Sequence, residues 1–185
     1  MGEVDTIFAL ATPPGRSALA VFRIAGPTAV EALARITRGG GVRPRRPSLR
    51  SLYAATAEKI DDAVVTVFPG PASFTGEDCV ELSVHGSRSV ISALNATLAR
   101  IGGLRVAEPG EFTKRAFLNG RMDLTQAEAV ADLIDSETEF QRRQALRMLS
   151  GELGACVRAW RERILDVSAE IESSLDFSDE GDVDA

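Results

Sequence analysis

From Leu124 onward the apolar residues of this chain recur only at intervals of three and four, whereas before it such helical spacing is interleaved with short alternating, strand-like runs. That change of period forces a two-part architecture. Leu146, Leu149, Leu153, Val157, Trp160, Ile164, Val167, Ile171 and Leu175 form one apolar seam, of the kind that a helical bundle or coiled coil buries. Trp160 reads as part of this seam rather than as a ligand contact. Thr125-x-x-Glu128 and Ser136-x-x-Glu139 have the form of capping boxes, so two helix starts are expected there. With no proline after them, the second helix is expected to run to about Ser174. One short preceding helix cannot cover so long a seam. Either a second chain supplies the missing helices, or the chain is a piece of a longer one. The acidic stretch at 176–185 reads as a linker leading to a further domain.

The first part mixes both periods. Residues 6–11 and 18–24 read as strands joined by Thr12-Pro-Pro-Gly-Arg16, and residues 27–37 as a short helix burying Val30, Leu33, Ala34 and Ile36. Residues 49–58 and 63–68 read as strands around a turn at 59–62. Residues 80–84 alternate strictly, 87–101 have helical spacing, and 104–107 close the set as a last strand. Five or six strands with two or three helices make an α+β domain over residues 1–118, followed by a helical segment over 119–175. No dinucleotide fingerprint follows the first strand.

Composition narrows the function classes. No apolar run approaches a transmembrane length, and the acidic start Met1-Gly-Glu-Val-Asp5 is not a signal peptide. Cys79 and Cys156, far apart and in unlike contexts, suggest a reduced, cytoplasmic protein with no disulfide frame and no metal site. The net charge of −6 hides an asymmetry: residues 1–60 balance at +5 and residues 61–185 at −11. Arg43, Arg45, Arg46 and Arg50 would suit phosphate contacts. A solvated, proline-restrained loop is the preferred reading, because no aromatic residue is interleaved for base stacking.

Two blocks are denser than connecting loops require. One is Phe68-Pro-Gly-Pro-Ala-Ser-Phe-Thr-Gly-Glu-Asp78, running into Cys79-Val-Glu-Leu-Ser-Val-His-Gly86. The other is Pro109-Gly-Glu-Phe-Thr-Lys-Arg-Ala-Phe-Leu-Asn-Gly-Arg-Met-Asp123. Shaped loops on a rigid scaffold bind ligands more often than they merely connect. Both blocks, together with Asp5-Thr-Ile-Phe-Ala-Leu-Ala-Thr-Pro-Pro-Gly-Arg16 and Ala20-Val-Phe-Arg-Ile-Ala-Gly26, strongly resemble the tRNA modification GTPases of the MnmE (TrmE) family.

The resemblance implies a mixed-sheet tetrahydrofolate-binding and dimerisation domain, similar to that of aminomethyltransferases, followed by the first half of a helical domain. It further implies a homodimer that works with the flavoprotein MnmG on the wobble uridine of tRNA. The added group is aminomethyl or carboxymethylaminomethyl, with 5-formyltetrahydrofolate or a related reduced folate supplying the one-carbon unit. GTP, Mg and K would be bound only through a G domain, whose phosphate loop needs a Gly-Lys pair that never occurs in this sequence. This chain alone is therefore expected not to hydrolyse GTP.

By the same resemblance, Arg23, Glu81 and Arg121 match the family's folate-contacting positions. Position 121 is commonly lysine in the family; arginine keeps the charge with a different reach and hydrogen-bond geometry. On spacing alone, Arg23 also suits a strand end facing solvent, and Glu81 a solvated strand face shared with Cys79, Ser83 and His85. His85, the single histidine, has no carboxylate partner identifiable in sequence and is assigned a structural role before Gly86. Asn119, Asp123 and Gln126 suit the mouth of a site or turn and cap roles equally. No catalytic residue is assigned. Besides a binding module, the sequence admits a stand-alone folate-dependent one-carbon transferase and a purely structural oligomerisation module.

Overall fold

The computed structural model describes residues 5–176, which divide into two compact units between Arg121 and Met122. The first unit holds strands β1 (Thr6–Leu10), β2 (Ser17–Ala25), β3 (Ser48–Tyr53), β4 (Lys59–Phe68), β5 (Cys79–Gly86) and β6 (Leu104–Val106). They form one sheet in the order β3-β4-β5-β2-β1-β6. All neighbours are antiparallel except β1 and β6, so the sheet is mixed. With helices α1 (Ala29–Thr37), α2 (Arg88–Leu98) and α3 (Glu111–Leu118), the unit is α+β.

Strand alternation sorts the side chains onto two faces. Phe8, Phe22, Ile24, Leu52, Val65, Val80, Leu82 and Val84 face α1 and α2, which contribute Leu33, Ile36, Leu94 and Leu98. This is the main core. Each fully buried side chain of this size contributes about 1.5–3 kcal/mol. On α1 the buried positions are Ala29, Ala32, Leu33, Ile36 and Thr37, and not Val30 and Ala34, which are exposed. The helix starts two residues after Pro27, and that entry turns the alanines rather than Val30 onto the sheet.

The opposite face is only partly covered. A small cluster of Ile7, Ala25 and Cys79 is closed by Phe68, Ala107 and Phe112 of α3. Further along the same face Leu19, Leu49 and Val64 remain exposed.

The β3–β4 turn differs from expectation. It lies at residues 54–58, closed by Ala54 N–H to the Glu58 carbonyl (2.9 Å), with Ala57 at φ 77°. Residues 59–62 belong instead to β4, because Asp61 and Asp62 find partners there: Asp62 pairs with Ser51 (2.6 Å) and Lys59 (2.7 Å).

The second unit holds α4 (Leu124–Ile134), α5 (Glu139–Leu149) and α6 (Glu152–Asp176). Helices α4 and α5 are antiparallel, with Ala129 and Ala145 buried, and Gln126 Nε2 of α4 bonds the Leu149 carbonyl at the far end of α5 (2.9 Å). Both helix starts are capping boxes, but with different residues from those expected. Asp123 caps with Gln126, and Thr138 with Gln141. Thr125 lies inside α4 and donates to Asp123 Oδ1 (2.7 Å), while Ser136 bonds back to the Leu133 carbonyl. The expected single long helix breaks at Gly151, whose φ of 85° belongs to the left-handed region that glycine adopts without penalty. Leu153, Val157, Trp160, Ile164, Val167 and Ile171 are all 40% or more exposed, so the seam lies open as a face of α6. The expected acidic linker begins at Asp176, the last described residue, and its remainder, 177–185, lies outside the described residues.

Candidate functional site

The site is built on the partly covered face of the sheet, where the pairing register sets its two central charges side by side. Ala9 pairs with Arg23, Arg23 with Glu81, and Glu81 with Thr66, in one row across β1, β2, β5 and β4. Arg23 donates to Glu81 Oε1 from Nη2 at 2.7 Å and from Nε at 3.1 Å. Their side chains are 25% and 31% exposed, so the pair is partly desolvated and yet reachable. Both bonds end on Oε1. Among the described residues none bonds Oε2, which is left to accept from another donor.

Two aromatic rings frame the guanidinium. Phe74 lies 4.9 Å and Phe112 5.7 Å from Arg23 Cζ, within the range of cation–π attraction. Phe74 is carried by the loop 69–78, whose shape is held from inside. Gly70 N–H bonds Asp78 Oδ1 (2.9 Å), Ser73 Oγ donates to the Glu77 carbonyl (2.5 Å), and Glu77 N–H bonds Thr75 Oγ1 (3.2 Å). A Cβ on Gly70 would stand 2.8 Å from the Gly76 carbonyl, so this approach excludes any larger residue.

Arg121 reaches the same loop from α3. Asn119 Nδ2 donates to the Thr75 carbonyl (2.7 Å), and Gly76, at φ 81°, lets the chain after α3 lie against it. A Cβ on Gly76 would meet Asn119 Cβ at 3.1 Å and Arg121 Cγ at 3.2 Å. The structure therefore brings Arg23 and Glu81 into direct contact, and joins Arg121 to them through the loop that carries Phe74.

Behind the rings lies an ion-pair network that spacing did not disclose. Arg115 of α3, 12% exposed, bonds Asp5, Glu77 and Glu111, and Arg105 of β6 bonds Asp5 and Glu111. The Arg105 guanidinium holds the Glu111 carboxyl well below the usual carboxylate range, at about 2, with help from the Glu108 N–H and from Arg115. Asp5 is lowered for the same reason, Arg105 acting most strongly.

The remaining sequence candidates have structural partners. His85 has the carboxylate neighbour that could not be read from spacing: Asp61 accepts from its backbone N–H and lies 2.8 Å from Nδ1. That pair ties the end of β5 to β4. Asp123 and Gln126 serve as the α4 cap. Arg45 bonds the Ala72 carbonyl and Arg50 those of Leu49 and Gly41, which fits the structural reading of the basic stretch. Among the described residues there is no group of three or more His, Cys, Asp or Glu that could hold a metal ion, and no helix long and apolar enough to cross a membrane. Phe74, Phe112 and Arg115 were missed as functional residues. Their one signal was membership of the two dense blocks.

Residues 6–121 match the family described as the GTP-binding protein TrmE N-terminus, and residues 124–185 match the MnmE helical domain. The chain belongs to the MnmE family of tRNA modification GTPases. It is 57% identical over 181 residues to a tRNA modification GTPase MnmE of Methylobacterium sp. (strain 4-46), covering 97% of this chain and 41% of that relative. To proteins of the same name from Phenylobacterium zucineum and Dinoroseobacter shibae it is 55% and 52% identical, over 95% and 96% of this chain and 39% and 41% of theirs. The chain thus spans about two fifths of the length of these MnmE relatives. The row bearing Arg23 and Glu81, the first dense block and all of the ion-pair network except Asp5 lie within the stretch matched to the TrmE N-terminus, which takes in the second block as far as Arg121.

Proposed function

We propose that this chain binds a reduced folate, 5-formyltetrahydrofolate or a close relative, on the Arg23–Glu81 face of its α+β unit. In this reading it is the folate-binding and dimer-forming portion of a tRNA modification GTPase. The whole protein acts with the flavoprotein MnmG on the wobble uridine of tRNA, introducing an aminomethyl or carboxymethylaminomethyl group.

The observation that carries the proposal is the half-buried Arg23–Glu81 pair between two phenyl rings, with one carboxylate oxygen still open. A reduced folate presents a pterin edge rich in N–H donors, an aromatic linker and a glutamate tail with two carboxylates. The donor set fits it. Glu81 accepts from the pterin edge, Phe74 and Phe112 give apolar walls, and Arg23 and Arg121 supply cations for carbonyl or carboxylate oxygens. When bound, the folate would supply the one-carbon unit. The chain's own part is to hold and orient it and to keep water from its apolar edge.

Calorimetric titration with 5-formyltetrahydrofolate tests this directly. Wild type is expected to bind saturably. Glu81→Gln and Arg23→Gln are each expected to weaken binding by at least about tenfold, the range for losing a charge-assisted hydrogen bond. Equal affinity in wild type and both variants would exclude this face as the site.

A further inference from the structure

We infer that Arg115 is the positioning residue of this site: by pairing at once with Asp5, Glu77 and Glu111, it holds the loop bearing Phe74 and the helix bearing Phe112 at the separation that sets both rings beside Arg23. The inference rests on the folate reading for its binding readout, and stands on ring geometry alone for its other.

Arg115 does not touch the site. It sits one helical turn after Phe112 on α3, with its side chain 12% exposed. Its Nη1 donates to the Asp5 carbonyl at 2.8 Å and to Glu77 Oε1 at 3.2 Å, and its Nη2 to Asp5 Oδ1 at 2.6 Å and Glu111 Oε1 at 3.1 Å. Asp5 immediately precedes β1, Glu77 closes the loop three residues after Phe74, and Glu111 opens α3 and is bonded in turn by Arg105 of β6 (2.5 Å). The residue before β1, the loop bearing Phe74 and the start of α3 are thus tied to one cation, and β6 joins them through Arg105 and Glu111.

The charges show what its loss would do. Three carboxylates face two guanidiniums here, and Arg105 reaches only Asp5 and Glu111. Arg115 is the one cation paired with Glu77 among the described residues, and the Glu77 side chain is only 15% exposed. Without Arg115 a largely buried carboxylate would lie beside two others with nothing to offset it. The cheapest relief is outward movement of Glu77, and Phe74 belongs to the same hydrogen-bonded loop. The main core lies on the opposite face of the sheet, so the fold survives the change while the ring pair does not.

The test uses the full chain with two readouts. First, with 4-fluorophenylalanine incorporated and the signals assigned by single Phe→Leu changes, Arg115→Met should shift the fluorine resonances of Phe74 and Phe112 and leave those of Phe8 and Phe22 in place. Second, Arg115→Met should weaken 5-formyltetrahydrofolate binding about tenfold, Arg115→Lys should recover part of that loss, and Arg115→Met should weaken a Phe74→Ala/Phe112→Ala double variant by no more than about twofold, because it acts through those two rings. Unmoved Phe74 and Phe112 resonances would overturn the positioning role, as would losses that multiply when the three changes are combined. Resonances that move as expected in Arg115→Met, together with a wild type that binds no folate, would uphold the positioning role and reject the folate reading instead.

Discussion

Glu111 is 9% exposed at its side chain, and its carboxyl is held at about 2 by Arg105, the Glu108 N–H and Arg115. Its folded-state pKa lies below the ordinary value of 4.5. The stabilisation is therefore present in full above about pH 4.5 and is lost as pH falls towards 2, on the order of 2 kcal/mol in all. Urea midpoints at pH 6 and pH 3 should show Glu111→Gln well below wild type at the higher pH, with the gap cut to about half at the lower. A gap that stayed constant would mean that Glu111 acts by shape rather than charge. At this scale the sequence was legible where alternation decides. Glu81 does share the face of Cys79, Ser83 and His85, and the register brings Arg23 to it. Asp61 beside His85, and Glu77 and Asp5 beside Arg115, were not legible, because those partners lie 24, 38 and 110 residues apart and only the fold brings them together, whereas Glu111 stands four residues before Arg115 on α3.

At the scale of elements, strands and helices followed the apolar periods closely, while their ends followed local hydrogen bonds. Thr125-x-x-Glu128 and Asp123-x-x-Gln126 are both sound cap patterns, and the second prevails because Asp123 accepts from Gln126 N–H at 2.9 Å while Gln126 Oε1 returns the bond to Asp123 N–H at 2.9 Å. Asp123→Ala should cost about 1 kcal/mol in thermal unfolding of the helical unit. Glu128→Ala should stay within about 0.5 kcal/mol, as exposed helix positions do. Equal losses would return the cap to the Thr125 pattern. Gly151 is the other instance. The apolar spacing runs through it without interruption, so the period alone predicts one helix, and only the left-handed backbone at this residue reveals two.

For the whole molecule, two features point beyond a single copy of this chain: the exposed Leu19, Leu49 and Val64 on the sheet, and the open apolar face of α6. If the proposed pairing of α+β units is right, sedimentation equilibrium should return twice 19.7 kDa at micromolar concentration. A mass of 19.7 kDa across that range would remove dimer formation from the proposal. The two-part plan and the family were legible in the sequence, since period and motifs are both written along the chain. The rings at the site were not, because Phe74 and Phe112 gain meaning only once they stand beside Arg23. The most direct test of the account is an amide chemical-shift titration of the chain with 5-formyltetrahydrofolate. Shifts centred on Arg23, Phe74, Glu81, Phe112 and Arg121 are the predicted result. Shifts centred elsewhere, or none at saturating folate, would contradict it.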